Sequence, residues 1–376
     1  MTTVLVTDAG YKHTLAAVRS LASAGCTVDA IGDARSLCRY SRHLRRIAYP
    51  QRDFTEDRFD RFVRFLEVEP YDVLLPIGAR SVRLLARHRQ TVERHVALPL
   101  PATDRIESCM NKHRLNVMAA QLGLHVPRSW AADGEDAAEG IAGEARFPLV
   151  VKGGHELDRI AVQRVENPAS LRLSLRRRRP AVEDGSIPWL VQEWIGGEGC
   201  GFFALYEKGR LRRFFMHRRV RMVPPSGGQS CCAESIYDEE LLRAGRLLLD
   251  ALEWHGVAMV EFIRDAATGH LYLLEVNPKF WGSLDLAIAS GVDFPGDLVK
   301  LALGRPIASS SPYRVGLRFH WPLGQGDLIH FCRSPGAGLS ILRDCLDFRV
   351  RSNLRLGDPW PAVRSLWEDL LVLRGR

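Results

Sequence analysis

The chain has 376 residues, 46% hydrophobic and 26% charged, with a net charge of +8 in which arginine far outnumbers lysine. These proportions describe an ordinary soluble globular protein of two or three domains and exclude a membrane-embedded chain, since no apolar run approaches the ~18 residues of a span. Cysteines at 26, 38, 109, 200, 231, 232, 332 and 345 show no paired metal spacing, and the chain opens on an apolar run rather than a charged leader. Reduced thiols and a cytoplasmic location are therefore expected.

The first hundred residues alternate short apolar runs with amphipathic stretches. Strands are predicted at Val4–Thr7, Val28–Gly32, Val73–Ile77 and Ala97–Pro99, and helices at Thr14–Ala24, Glu56–Glu67 and Ala79–His88. That alternation predicts βαβ units around a parallel, Rossmann-like sheet. Asp8-Ala9-Gly10 follows the first strand but matches neither GxGxxG nor a P-loop. It reads as a plain strand-to-helix turn, at a strand end where a ligand can sit.

A helix is predicted over Asn111–Leu122, ended by Gly123 and by Leu124-His-Val-Pro127. Strands follow at Leu149–Lys152, Ile160–Arg164 and Trp189–Trp194, then an antiparallel pair, Gly201–Tyr206 and Leu211–Arg221, turned by Glu207-Lys-Gly209. The basic run Arg176–Arg179 has no interleaved aromatics and reads as a solvated loop, so no nucleic-acid partner is expected. A helix over Glu239–Leu252 precedes two apolar strands. The last seventy residues show helical patterns at Ala337–Asp347 and Trp360–Leu373 without a chemical motif, and are expected to pack on the outside.

Chemistry concentrates in those two apolar strands. Leu271-Tyr-Leu-Leu-Glu275-Val-Asn277-Pro-Lys279 reads as a buried strand that delivers a carboxylate and a carboxamide two residues apart. Positions i and i+2 of a strand face the same way, so both oxygens aim at one point. Val257-Ala-Met-Val-Glu261 supplies a second carboxylate from a neighbouring strand. Hard oxygen ligands of this kind suit Mg²⁺ or Mn²⁺. Lys152 ends an apolar strand just before Gly153-Gly154 and is placed to meet an anion. In Met216-His217-Arg218-Arg219-Val220-Arg221, alternation puts His217, Arg219 and Arg221 on one face, where guanidinium forks would grip phosphate or carboxylate.

Taken in order, five segments resemble the ATP-grasp superfamily. They are Cys109-Met-Asn-Lys112 before Gly123, Phe147-Pro-Leu-Val-Val-Lys152, Val191-Gln-Glu193-Trp194-Ile195-Gly-Gly-Glu198, Glu261, and Glu275-Val-Asn277-Pro-Lys279. The resemblance covers roughly residues 1 to 305. It implies an N-terminal α/β domain (1–103), a small lid subdomain (104–194) and a large subdomain bearing the metal site (195–305), with 306–376 as a helical extension. The fold class is then α/β and α+β, a two-subdomain ATP-grasp fold after the parallel-sheet domain.

The resemblance also implies roles. Lys112 and Lys152 would hold ATP phosphates, the backbone around Glu193, Trp194 and Ile195 the adenine, and Glu198 the ribose. Glu261, Glu275 and Asn277 would hold the metal, with Arg219, His217, Arg221 and Lys279 acting on the transferring phosphoryl group. One departure stands out. The glycine-rich loop usual after the second lysine is only Gly153-Gly154-His155-Glu-Leu-Asp158-Arg159, leaving closure to His155 or Arg159.

The expected activity is ADP-forming ligation of a small-molecule carboxylate to an amine through an acyl phosphate. Alternatives are a kinase on a small anionic substrate and a catalytically weak nucleotide-binding regulator. A homodimer is the base-rate expectation.

Overall fold

In a computed structural model the chain is described over residues 1–50, 55–158, 162–176, 187–224, 228–308 and 312–374. The first layer contains β1 (Thr3–Val6), α1 (Lys12–Ser23), β2 (Thr27–Gly32), β3 (Arg46–Pro50), α2 (Phe59–Val68), β4 (Val73–Leu75), α3 (Ala79–Arg87) and α4 (Arg89–Val92). Its four strands are all parallel, in the order β3-β2-β1-β4. Buried Val and Leu runs flanked by helices dictate this arrangement. The strand expected at Ala97–Pro99 is reduced to a single bridge from Ala97 to Val73. β3 is an unexpected edge strand, polar enough to escape the apolar-run test.

Next come α5 (Thr103–Met110), α6 (Lys112–Gln121), β5 (Ser129–Ala132), α7 (Ala137–Glu144), β6 (Leu149–Lys152), β7 (Gln163–Val165), α8 (Pro168–Leu175) and β8 (Trp189–Glu193). The four strands form an antiparallel sheet, β5-β8-β6-β7. Leu149, Val151 and Val191 on one face pack under α7 and α8. Most of Arg176–Arg179, Arg159 and the start of the expected strand Ile160–Arg164 lie outside the described residues. Although expected with the lid, α6 packs elsewhere. Its Leu115 and Ala119 join Val260, Leu273 and Val276 in the core of the largest sheet.

That sheet is built from β9 (Gly197–Glu207), β10 (Arg210–Val223), β11 (Gln229–Ser235), α9 (Glu239–Ala251), β12 (Gly256–Asp265), β13 (Leu271–Asn277), α10 (Leu284–Ala289), α11 (Phe294–Ala302), β14 (Arg318–His320), α12 (Asp327–Arg333), α13 (Gly338–Leu346), β15 (Arg351–Ser352) and α14 (Trp360–Arg374). Strand order is β13-β12-β9-β10-β11-β14-β15, antiparallel except for the last pair. Lys208 and Gly209, with φ of 46° and 77°, make the tight turn between β9 and β10.

The C-terminal segment is more than an outer extension. β14 pairs with β11 inside the sheet, and buried Asp358 accepts from Arg19 of α1 at 2.8 Å. Short strands such as Arg318-Phe-His320 carry too few residues to show a period in sequence. Val4, Val6 and Leu15 share one continuous core with Phe203, Trp281, Phe294 and Trp321. This shared core fixes the N-terminal layer against the large sheet, so the first turn of α1 overlooks the strands that carry the chemistry. Among the described residues no helix is long and apolar enough to cross a membrane.

Candidate active site

Glu261 on β12 and Glu275 on β13 are register partners on adjacent antiparallel strands. The Asn277 amide donates to Glu261 Oε1 at 3.3 Å and to Glu275 Oε1 at 3.0 Å. These three oxygen-bearing side chains therefore converge, as expected from the i, i+2 spacing. Four cations surround them. Lys112 Nζ stands 3.6 Å from Glu275, and Lys152 Nζ donates to the Leu274 carbonyl at 3.4 Å. Lys279 donates to Asn277 Oδ1 and Arg219 to Glu261 Oε2. Lys152 comes from the small sheet and Glu275 from the large one, so the cluster lies where the two sheets meet.

Each group is shifted by its surroundings. Burial pushes the Glu261 carboxyl up, against the pull of Arg219. Burial also works against charge on Glu275, but Lys112, Lys152 and Lys279 override it and hold that carboxyl well below the usual range. Lys152 is lowered to about 8, first by burial and then by Lys112. Burial opposes charge on Lys112 too, yet Glu275 and Glu156 raise it. Cations this desolvated, facing fewer carboxylates than they number, form a site for a polyanion.

The donor set fits a hard divalent cation. Two carboxylates and an amide oxygen are the ligands Mg²⁺ or Mn²⁺ takes alongside phosphate oxygens. Among the described residues no group of three His, Cys, Asp or Glu is arranged to hold a metal. Such an ion would therefore need oxygens from its nucleotide as well.

Not every expected residue joins the cluster. Arg221 does not: β10 carries one extra residue, Val220, between the pairs Arg219–Ala233 and Arg221–Cys232. This bulge turns the following side chain to the opposite face. There Arg221 makes a two-pronged pair with Asp327, both contacts at 3.0 Å, and a further one with Asp344 at 2.5 Å. Glu198 also points away. A Cβ on neighbouring Gly199 would lie 3.1 Å from the Arg219 side chain. The next residue along the strand must face the other side, and Glu198 pairs there with Arg218 at 3.2 Å.

The hinge is altered as well. The Glu193 and Trp194 N–H groups already donate to Arg128 O at 2.9 Å and Pro148 O at 3.2 Å. Among the described residues Ile195 N–H has no partner. A cavity of about 380 Å³ touches Glu193 and Trp194. Glu193, however, pairs with Leu149 and shares its face, the one packed under α7 and α8, so that cavity lies outside the cleft.

His217 stays on the Arg219 face but is sealed in. Its Nε2 meets Ser283 Oγ at 2.7 Å and its ring stacks 4.6 Å from Phe203. Burial, then Arg219, lowers it to about 3, which leaves it neutral. His155 does not cap the cleft either. It is 2% exposed, bridged to Asn111 and 3.9 Å from Glu107. Pro224 and Gly228 bound a short Pro/Gly/Ser segment whose residues 225–227 lie outside the described set. Asp293 caps α11 by accepting from Gly296 N–H at 3.1 Å.

Three residues were not signalled by the motifs. Glu156 contacts Lys279 at 3.1 Å and Lys112 at 4.0 Å. Lys12 donates to Ser230 O at 3.3 Å and lies over Trp321 at 4.9 Å. A Cβ on Gly282 would lie 3.4 Å from its Cε, and burial lowers it to about 8. His13 is lowered to about 3 by burial, Lys279 and Lys12. The available signal for the last two was their position, one short turn beyond the first parallel strand.

Residues 186–322 match the family model described as ATP-grasp in the biosynthetic pathway with Ter operon. That stretch of the chain is similar to an ATP-grasp domain. The chain's fold is similar to the biotin carboxylase domain dimer of Hydrogenobacter thermophilus 2-oxoglutarate carboxylase, a structure in complex with MgADP, ADP and bicarbonate. The TM-score is 0.66 at 19% identity, over 84% of this chain and 73% of that one. In sequence the chain is 26% identical over 222 residues to the carbamoyl phosphate synthase large chain of Ralstonia nicotianae, covering 56% of this chain and 20% of that protein. It is 27% identical over 176 residues to the D-alanine–D-alanine ligase of Ectopseudomonas mendocina, covering 45% of this chain and 55% of the ligase. The chain thus spans a fifth of the first relative and just over half of the second.

Proposed function

We propose that the protein is an ATP-dependent ligase that activates a substrate carboxylate as an acyl phosphate and joins it to an amine. The observation that carries this reading is the cluster of four cations around register-paired Glu261 and Glu275, at the junction of the two sheets. The ligase named among the relatives supports it. A carboxylate is inert toward amines at neutral pH, and phosphorylation gives its carbon a leaving group. A carboxylate oxygen attacks the γ-phosphorus, the bond to the β-phosphate oxygen breaks, and ADP leaves. The amine nitrogen then attacks the acyl carbon, phosphate departs with its oxygen, and the nitrogen loses a proton.

This chain's residues serve those steps through charge and placement. Lys112 and Lys152 hold phosphate oxygens, and Arg219 and Lys279 stabilise the charge of the phosphoryl group in transit. Glu261, Glu275 and Asn277 would hold Mg²⁺ or Mn²⁺, which neutralises phosphate charge when bound. From the first layer, Lys12 reaches Gly282 and suits an anionic acceptor, while neutral His13 beside it adds no further positive charge. The adenine would meet the backbone at Ile195. All eight cysteines are free thiols, which supports a cytoplasmic enzyme.

The test is ADP release from Mg-ATP across acids and amines supplied in pairs, with hydroxylamine in parallel. A hydroxamate that depends on one acid establishes carboxylate activation. ADP with a stable phosphorylated product and no hydroxamate would make the protein a kinase.

A further inference from the structure

Helix α14 buries Pro361, Ser365 and Asp369 against the body and turns its large apolar side chains outward. Its anchorage is polar. Asp369 is fully buried and accepts from the Gly324 and Gln325 N–H groups at 2.9 and 2.6 Å. Trp360, Val363, Leu366, Trp367, Leu370 and Leu371 face away from the body, each between 40% and 65% exposed. A helix on a free-standing globule shows the reverse, with its apolar stripe inward.

Spacing and area identify what covers this face. Trp360, Val363, Trp367 and Leu370 follow one another at three, four and three residues, the a/d repeat of a helix that pairs along a seam. Leu366 and Leu371 widen that seam. The six side chains expose on the order of 700 Å², taking aromatic groups of 150–250 Å² as the scale. That exceeds the single patch of an ordinary monomer and approaches the ~800 Å² each partner contributes to a standard interface.

Charge argues against a lipid surface. Between Trp360 and Leu371 the one basic side chain is Arg364, paired with Glu368 at 2.9 Å and set over the Tyr40 ring. Helices that lie on anionic bilayers carry basic residues along the polar face, uncommitted and facing the headgroups. A neutral-flanked apolar seam is instead complementary to itself.

We propose that α14 is the isologous interface of a homodimer, two copies laying this helix antiparallel across a two-fold axis. The proposal is independent of the ligase reading. Sedimentation velocity of the full chain between about 1 and 50 µM tests it. The expected result is a species of twice the chain mass, with Trp367→Glu and Leu371→Glu each shifting it to monomer while circular dichroism is unchanged. Val68→Glu, at a 79%-exposed apolar residue on α2, leaves the dimer intact. A monomer throughout the range, or a dimer indifferent to both α14 substitutions, overturns the proposal. So does co-sedimentation of a monomer with phosphatidylglycerol vesicles that is lost in Trp367→Glu, which would make the face a membrane contact.

Discussion

Two acid–base clusters occupy opposite faces of the same seven-stranded sheet, and they are built from nearly the same residue types. On one face Arg219, Lys112, Lys152 and Lys279 surround Glu261 and Glu275. On the other, Arg221 pairs with Asp327 and Asp344, Arg318 bridges Asp344 to Glu234, and His320 donates to Asp327 at 2.8 Å. In the second cluster charge and hydrogen bonds are matched at short range. Asp327 is held below the usual carboxylate range by His320 and Arg221, in spite of its burial. In the first, Glu261 is pushed up and Lys152 down, so the groups are poised to bind something that is not protein. The matched cluster is a strut, and the frustrated one is a site.

The largest expected effect breaks the strut. Arg221→Met removes the cation shared by two buried carboxylates and leaves Asp327 with only His320 and Asp344 with only the more exposed Arg318. A loss of about 3–5 kcal/mol in unfolding free energy is expected, because a stranded buried charge costs more than the pair was worth. Urea unfolding measures it, and ATP affinity per folded molecule stays near the parent's. If affinity collapses while stability holds, Arg221 belongs to the site after all.

Glu275→Gln breaks the other cluster in the opposite sense. It preserves volume and the hydrogen bond from Asn277, so the fold survives. It removes an anionic oxygen from the proposed metal set and is expected to slow ADP formation by roughly 100-fold or more. Parent-like turnover in saturating Mg-ATP would refute the assignment of this carboxylate.

How far sequence reached follows the same contrast. The i, i+2 spacing of Glu275 and Asn277 survives because β13 is regular between them. The identical argument applied to His217, Arg219 and Arg221 fails at one residue, since a bulge is invisible to a period-2 count. Glu198 fails for a related reason: a run of glycines carries no pattern to reveal which way its one side chain faces. The parallel sheet and the β9–β10 hairpin are legible from short apolar runs alternating with amphipathic stretches and from a Lys-Gly turn. Glu156 was not, because it reaches the cluster through backbone pairing of its loop with Met110 and Lys112. Nor were β14 and β15, which are too short to carry a period.

A pH series sharpens the difference without any substitution. Lys152 titrates near 8 because burial and Lys112 disfavour its charged form. Phosphate binds the protonated amine, so ATP affinity should be level below about pH 8. It should fall above it by up to ~10-fold per unit, the limit for one linked proton. Lys152→Arg keeps its charge throughout and should flatten the profile. An unchanged break in that variant would assign the titration to Lys12, which is lowered to about 8 across the cleft.

The smallest effect tests whether the site is frustrated by design of its charges or merely by the lack of a partner. Glu156 neutralises part of Lys279 and Lys112 at 3.1 and 4.0 Å, and a polyanion must compete with it for both. Glu156→Gln removes that competition while keeping a polar side chain in the loop. ADP should bind about 2–5-fold more tightly, consistent with less than ~1 kcal/mol for a partly solvated pair. Product release should slow in proportion. Calorimetry with Mg-ADP measures the first, and weaker binding there would mean that Glu156 holds Lys279 in place for the phosphate instead of contesting it.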